Sequence, residues 1–222
     1  MTEPRIEILP DAEAVAKRAA AYVVERAHVA VADHGRFTLA VSGGRTPWAM
    51  LAHLAEEDMP WGQTAIYQVD ERIAPIDGPD RNLAHLLSSL PADSGAEIHP
   101  MPVEGDDLQA AAADYASSLP DAFDLIHLGL GPDGHIASLV PGDPVLDVTD
   151  RGVALTGEYQ GHQRMTLTYP TLNAARQVLW LVTGEDKVDA LQRLRAGDTL
   201  IPGGRVAAAS ALIIADTAAA GA

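Results

Sequence analysis

The sequence predicts an α/β protein built on a mostly parallel sheet with helices on both faces, and three observations carry that expectation. Short runs of strand length alternate with longer segments of helical period along the chain. Several of the short runs, such as Phe37-Thr38-Leu39-Ala40-Val41, are almost continuously apolar, as strands covered on both faces are. A chain of 222 residues with 47% hydrophobic content is long enough for one sizeable core, so residues 1–222 read as a single domain.

Residues 5–9 alternate like a short strand, and Pro10-Asp11 then opens a helical pattern to about His34, where Gly35 supplies a stop. The strand 37–41 runs into Ser42-Gly43-Gly44-Arg45-Thr46, after which a helix is expected with Thr46 as its N-cap and Pro47 at its first position. A strand over 65–69, a loop over 70–80, a helix over 82–90 capped by Asn82, a helix over 106–119 and a strand over 124–130 follow. Beyond these come strands near 153–156 and 165–168, a short helix from Pro170, a strand over 178–183, a helix over 185–195 and a last strand over 212–215. The alanines at 110–113 read as helix surface and those at 218–220 as a fraying tail. In such folds ligands bind beyond the carboxyl ends of the strands, which singles out the loops 42–46, 70–72 and 131–135.

Composition narrows the chemistry. With no cysteine, disulfides, thiolate metal sites and cysteine nucleophiles are excluded, so catalysis must use oxygen and nitrogen groups. A formal charge of −16 with no basic cluster argues against a nucleic-acid partner. No apolar stretch is long enough for a membrane span, and Met1-Thr2-Glu3-Pro4-Arg5 lacks the regions of a signal peptide, so the expectation is a soluble cytoplasmic protein with no membrane partner. An anionic metabolite would have to be held by a local pocket of backbone N–H groups and placed cations, drawn from thirteen arginines and only two lysines, Lys17 and Lys187.

The three loops differ in what they offer. Ser42-Gly43-Gly44 places small residues between a strand and a helix N-terminus, where unpaired N–H groups favour an anion, although an ordinary glycine-rich turn has the same look. It lacks the Gly-Lys-Ser/Thr ending of an ATP-binding loop. Asp70-Glu71-Arg72 puts a carboxylate and a guanidinium at the end of a buried strand, either lining the crevice or forming a surface ion pair. Gly129-Leu130-Gly131-Pro132-Asp133-Gly134 has the spacing of a dinucleotide fingerprint, but Pro141-Gly142-Asp143-Pro144 leaves no room for the helix that fingerprint needs. What the loop does offer is Asp133 and His135 two residues apart, an imidazole able to take a proton from water or else a structural histidine. No HxH or HExxH spacing supports a metal there, and neither Ser42 nor Ser138 sits in a nucleophile elbow.

Taken in order, Val41-Ser42-Gly43-Gly44-Arg45-Thr46-Pro47, Val69-Asp70-Glu71-Arg72, Asp80-Arg81-Asn82 and Leu128-Gly129-Leu130-Gly131-Pro132-Asp133-Gly134-His135-Ile136-Ala137-Ser138-Leu139 resemble the successive motifs of 6-phosphogluconolactonases. Arg164-Met165-Thr166-Leu167-Thr168, Leu172-Asn173-Ala174-Ala175-Arg176 and Gly184-Glu185-Asp186-Lys187 extend the likeness, which covers about residues 37–215. The resemblance implies a three-layer α/β/α sandwich, a modified Rossmann-like sheet of the sugar-phosphate isomerase and deaminase type. Related glucosamine-6-phosphate deaminases carry a glutamate five residues after the histidine and an Asp-Glu-Tyr run, where this chain has Val140 and Asp70-Glu71-Arg72. The chain departs from the lactonase pattern at Arg45 and Arg81, both in place of serine, and at Ile201-Pro202-Gly203-Gly204; Arg45 either strengthens the anion pocket or faces solvent.

The activity so implied is hydrolysis of 6-phospho-D-glucono-1,5-lactone to 6-phospho-D-gluconate in the oxidative pentose phosphate pathway. His135 would remove a proton from the attacking water, Asp133 and Asp70 would orient the imidazole or the water, and Arg72 or a backbone N–H of 131–135 would stabilise the oxyanion. The substrate phosphate would rest on Ser42, Gly43, Gly44, Arg45 and Thr46, with Arg164 and Lys187 supplying charge. No metal or cofactor is expected, and the protein would act as a monomer or small homo-oligomer. The competing readings are a deaminase or isomerase of a hexosamine phosphate and a sugar-phosphate sensor without catalysis.

Overall fold

The computed structural model describes residues 4–76, 78, 81–207 and 210–221. Asp80 of the Asp80-Arg81-Asn82 motif, the far end of the 70–80 loop and Met1-Thr2-Glu3 lie outside the described residues. Among the described residues, seven parallel strands form one sheet: β1 (Arg5–Leu9), β2 (Phe37–Val41), β3 (Thr64–Gln68), β5 (Glu97–His99), β6 (Leu125–Gly129), β9 (Val178–Val182) and β10 (Ala211–Asp216), in the order β1-β10-β9-β6-β2-β3-β5. A second sheet has three antiparallel strands, β4 (Asp70–Arg72), β7 (Val153–Leu155) and β8 (Arg164–Leu167), in the order β4-β8-β7.

The large sheet is covered on both faces, as its apolar strands require. Leu39, Ile66, Leu125, Leu179 and Ile214 point into one core with helices α1 (Ala12–His34), α2 (Arg45–Leu54) and α3 (Asn82–Ser89). Their strand neighbours Ala40, Tyr67, Ile126, Trp180 and Ile213 point into the other, with α4 (Leu108–Ser118), α5 (Tyr169–Ala174), α6 (Val188–Arg195), α7 (Thr217–Ala220) and the small sheet. This is the period-two alternation of a strand read out as two cores. The first helix follows its sequence signals: Asp11 accepts from the Ala14 N–H as N-cap, and Gly35 closes it at φ 82°. Its buried face is mostly alanine, which lets it lie close to the sheet and to α2. Among the described residues no helix is long and apolar enough to cross a membrane.

Several expectations are corrected. Helix α2 begins at Arg45 with Gly44 as its N-cap, so Thr46 is not a cap and Pro47 is the third helical residue. Proline is tolerated there because the first-turn N–H groups have no partner within the helix in any case. Asn82 is the first residue of α3, whose N-cap is Arg81. The 70–72 segment is a strand of the small sheet rather than loop, and alanines 218–220 belong to the short helix Thr217–Ala220, with Ala219 buried. Strands β7 and β8 are antiparallel, and β5 escaped the sequence pattern because it spans three residues at a sheet edge.

Candidate active site

The contiguous order β9-β6-β2-β3 sets four carboxyl-terminal strand ends side by side, and the loops that leave them enclose a cleft of roughly 240 Å³. Ser42, Gly43, Gly44, Asp70, Arg72, Asn82, Gly131, His135, Arg164 and Lys187 all line it, together with Ala137, Tyr159 and Gln160.

The 42–46 loop is held from below. The Ser42 N–H donates to Nδ1 of the buried His127 at 3.3 Å, and the Ser42 hydroxyl donates to the His127 carbonyl at 3.1 Å. Gly43 presses so closely on Asn82 that a Cβ would stand 2.2 Å from its Oδ1, so any larger residue would displace the Asn82 amide. No side chain caps α2, leaving the N–H groups of its first turn available at the rim. Arg45 is exposed and Thr46 pairs its hydroxyl with that of Thr183 at 2.8 Å; neither lines the cleft.

Strand β4 aims alternate residues in opposite directions. Glu71 is fully buried and accepts hydrogen bonds from the N–H groups of Arg72, Asn82 and Leu83 and from the Gln68 amide, with the Arg81 guanidinium 3.3 Å away. Arg81, where the lactonase pattern has serine, is itself fully buried, donating to the Ala74 carbonyl and to Glu104. Asp70 faces the cleft, takes the Ser138 hydroxyl on Oδ2 at 2.5 Å, and receives the Asn82 amide on its carbonyl. Burial pushes the Asp70 carboxyl up, and Ser138 and Arg164 pull it back only in part.

Arg72 lies directly across from Arg164 in the β4–β8 register. Like charges in that relation destabilise a sheet, and two guanidiniums brought to one cleft could hold an anion between them. Arg164 is 5% exposed and sits over the Tyr159 ring at 5.1 Å, and its buried Nε has no hydrogen-bond partner among the described residues. Burial pushes the Arg164 guanidinium down and Arg72 adds to this, while Asp70 opposes. Lys187, in the one-turn helix Glu185–Lys187, brings a third cation, held by Asp186 at 2.8 Å. That turn is anchored by Asp216, which accepts the Gly184 N–H at 3.1 Å and caps α7.

The 131–135 turn completes the site. His135 Nδ1 lies 2.6 Å from Asp133 Oδ1, and the same oxygen accepts the His135 backbone N–H. Partial burial raises the Asp133 carboxyl, but the hydrogen bonds and charge of His135 outweigh it and hold the group below its usual range. Asp133 itself stays outside the cleft lining, behind the imidazole. A Cβ on Gly131 would stand 2.0 Å from His135 Nδ1, so this glycine makes room for the ring. The turn is propped by the segment at 201–204, where Ile201 packs on Gly134 and the Gly203 N–H donates to the Gly134 carbonyl at 3.0 Å. Ala137, at φ 48°, is strained beside the cleft.

Of the residues expected from sequence, the fold thus gathers His135, Asp70, Arg72, Ser42, Gly43, Gly44, Arg164 and Lys187, with Asp133 behind His135 and Arg45 and Thr46 outside. Asp70 meets Ser138 rather than the imidazole. Sequence reasoning missed Tyr159, Gln160 and Asp216, and it weighed Ser138 only as a nucleophile, not as the partner of Asp70.

The family model for glucosamine-6-phosphate isomerases/6-phosphogluconolactonase matches residues 10–214. The 6-phosphogluconolactonase of Synechocystis sp. is 38% identical over 206 residues, spanning 87% of this chain and 85% of that relative. The crystal structure of a 6-phosphogluconolactonase from Thermotoga maritima superposes with a TM-score of 0.86 at 26% identity, covering 96% of this chain and 99% of its own. A monomeric glucosamine-6-phosphate deaminase superposes with a TM-score of 0.84 at 19% identity, covering 98% and 99%, a likeness of fold alone.

Proposed function

The chain belongs to the glucosamine-6-phosphate isomerase/6-phosphogluconolactonase family, and from that premise we propose that it hydrolyses 6-phospho-D-glucono-1,5-lactone to 6-phospho-D-gluconate. The observation that carries the reading is the His135–Asp133 pair, 2.6 Å apart, in one site with Arg72, Arg164 and Lys187. The carboxylate holds the proton on Nδ1, which leaves the Nε2 lone pair as the base. Water gives a proton to Nε2 as its oxygen attacks C1, and a cation or backbone N–H takes the charge that develops on the carbonyl oxygen. The C1 to ring-oxygen bond then breaks, the imidazolium returns the proton to the leaving oxygen, and the open-chain carboxylic acid ionises. The phosphate lies on the 42–44 turn with Lys187 and the arginines, which holds the lactone in register over the base. The same reading takes the protein as a one-domain cytoplasmic enzyme, a monomer or small homo-oligomer, whose route needs no metal.

Because the deaminase shares the fold, the choice rests on side chains. Val140, which stands where deaminases carry a glutamate, is buried at 7% exposure and lies outside the cleft lining; valine transfers no proton. The test is a timed assay on freshly generated lactone, corrected for spontaneous hydrolysis, run beside glucosamine 6-phosphate. Lactone turnover is expected and ammonia release is not; the reverse overturns the reading. His135→Asn should lower turnover on the order of a hundredfold while leaving phosphate binding intact, and near-normal turnover would remove His135 from the mechanism.

A further inference from the structure

We propose that Tyr159 is a positioning residue for this hydrolysis: one aromatic ring, carried over the cleft by the hairpin between β7 and β8, fixes the buried Arg164 guanidinium and the His135 imidazole relative to each other. The inference rests on the lactonase reading. Its geometric basis is separate from that reading.

The hairpin is built for rigidity. Tyr159 and His162 exchange backbone hydrogen bonds at 2.9 and 3.3 Å, and Gln160 and Gly161 between them take φ 52° and φ 79°. Two consecutive positive φ values are those of the tight hairpin turn whose twist matches that of its strands. Gln160, which is not glycine, is held in the left-handed region at the edge of the cleft. At the hairpin base the Thr156 N–H donates to the Arg164 carbonyl at 2.9 Å, and the Arg164 N–H donates to the Thr156 hydroxyl at 3.2 Å. Tyr159 is therefore registered to the strand that carries Arg164.

Its ring then makes two contacts at once. The Arg164 guanidinium carbon lies 5.1 Å from the ring centroid. The His135 ring lies 5.7 Å away, inclined at 64°, in an edge-to-face relation. Asp133 fixes the imidazole from the loop side, and Tyr159 meets it from the hairpin. Among the described residues no carboxylate hydrogen-bonds the Arg164 guanidinium, so the aromatic face orients a cation that salt bridges do not. The hydroxyl plays a lesser part: it accepts from the Gln160 amide at 3.3 Å, within the hairpin itself.

The experiment compares Tyr159→Phe, which keeps the ring, with Tyr159→Leu, which keeps apolar bulk without it. Loss of a cation–π and an aromatic contact predicts about a tenfold fall in kcat/KM for the leucine variant, shared between kcat and KM, with the phenylalanine variant within about threefold of wild type and melting temperatures alike. NMR of the His135 ring protons, assigned through His135→Asn, gives a readout independent of turnover: the aromatic ring-current shift should vanish with leucine and persist with phenylalanine. A leucine variant within about twofold of wild type, a phenylalanine variant as impaired as leucine, or unmoved His135 resonances in the leucine variant each overturn the proposal. Wild-type protein inactive on the lactone refutes the lactonase reading instead, and the NMR comparison then still decides whether Tyr159 fixes the imidazole.

Discussion

At the scale of single residues, the site is governed by how closely side chains approach backbone. Gly131 is the sharpest case, because its backbone would accept alanine but the added carbon would fall 2.0 Å from His135 Nδ1. Gly131→Ala should therefore fold with stability within about 1 kcal/mol of wild type, since the variant disturbs one ring at the edge of a cleft. It should nevertheless lose at least tenfold in kcat, because a displaced base is out of hydrogen-bond reach of the water, on the order of the penalty for misplacing a reacting group. Full activity in a folded Gly131→Ala protein, read by steady-state kinetics beside thermal unfolding, would show that the imidazole works from elsewhere. Neighbouring positions show what a linear motif can hide. Arg45 and Thr46 belong to the phosphate-loop pattern, yet one turns to solvent and the other to Thr183, because α2 starts two residues earlier than Pro47 suggests.

At the scale of elements, a strand caps a helix. The N-cap residue of helix α3, Arg81, makes no side-chain capping bond, and the buried Glu71 carboxylate on β4 accepts the Asn82 and Leu83 N–H groups at its start. A negative group at a helix N-terminus is stabilised by the unpaired donors and the helix dipole. The same carboxylate faces Arg81, so the strand that presents Asp70 and Arg72 is bolted to the helix that presents Asn82. Glu71→Ala would leave a fully buried guanidinium and several N–H groups short of partners, a cost of about 3–5 kcal/mol. Urea unfolding should show the midpoint falling with little change in slope, and a midpoint within error of wild type would contradict the capping role. This network was illegible in the motif, which offered Asp70 and Arg72 as site candidates and left Glu71 between them without a role. Strand alternation, which became visible only once 70–72 was seen to be β4, separates a cleft-facing pair from a buried carboxylate.

At the scale of the molecule, a chain of net charge −16 holds Arg72, Arg164 and Lys187 in one cleft at one end of its sheet, so the proposed binding of a small anion would rest on placement and not on the global field. The sheet that places them also buries His127, whose Nδ1 accepts the Ser42 N–H and whose Nε2 has no hydrogen-bond partner among the described residues. Burial holds its pKa down to about 3 in the folded protein, against about 6.5 in an unfolded chain. Between these values the unfolded chain binds a proton that the folded protein refuses, so stability is intact above about pH 6.5 and declines as the pH falls toward 3. His127→Leu should therefore shift acid unfolding, followed by circular dichroism, to lower pH. An unchanged acid midpoint would exclude His127 as a contributor.

The amino-acid sequence alone determined the alternation of strands and helices, the first helix with its Asp11 and Gly35 ends, and the family motifs that single out His135 and its neighbours. These are local or serial properties: periodicity, caps and the order of short patterns survive reading one residue at a time. What tertiary structure decided was which of the marked residues meet. The strand order β9-β6-β2-β3, the antiparallel β4–β8 register that faces Arg72 with Arg164, and the hairpin that brings Tyr159 onto His135 all join segments far apart in the chain. Such contacts depend on strand order and register, which local propensity does not encode.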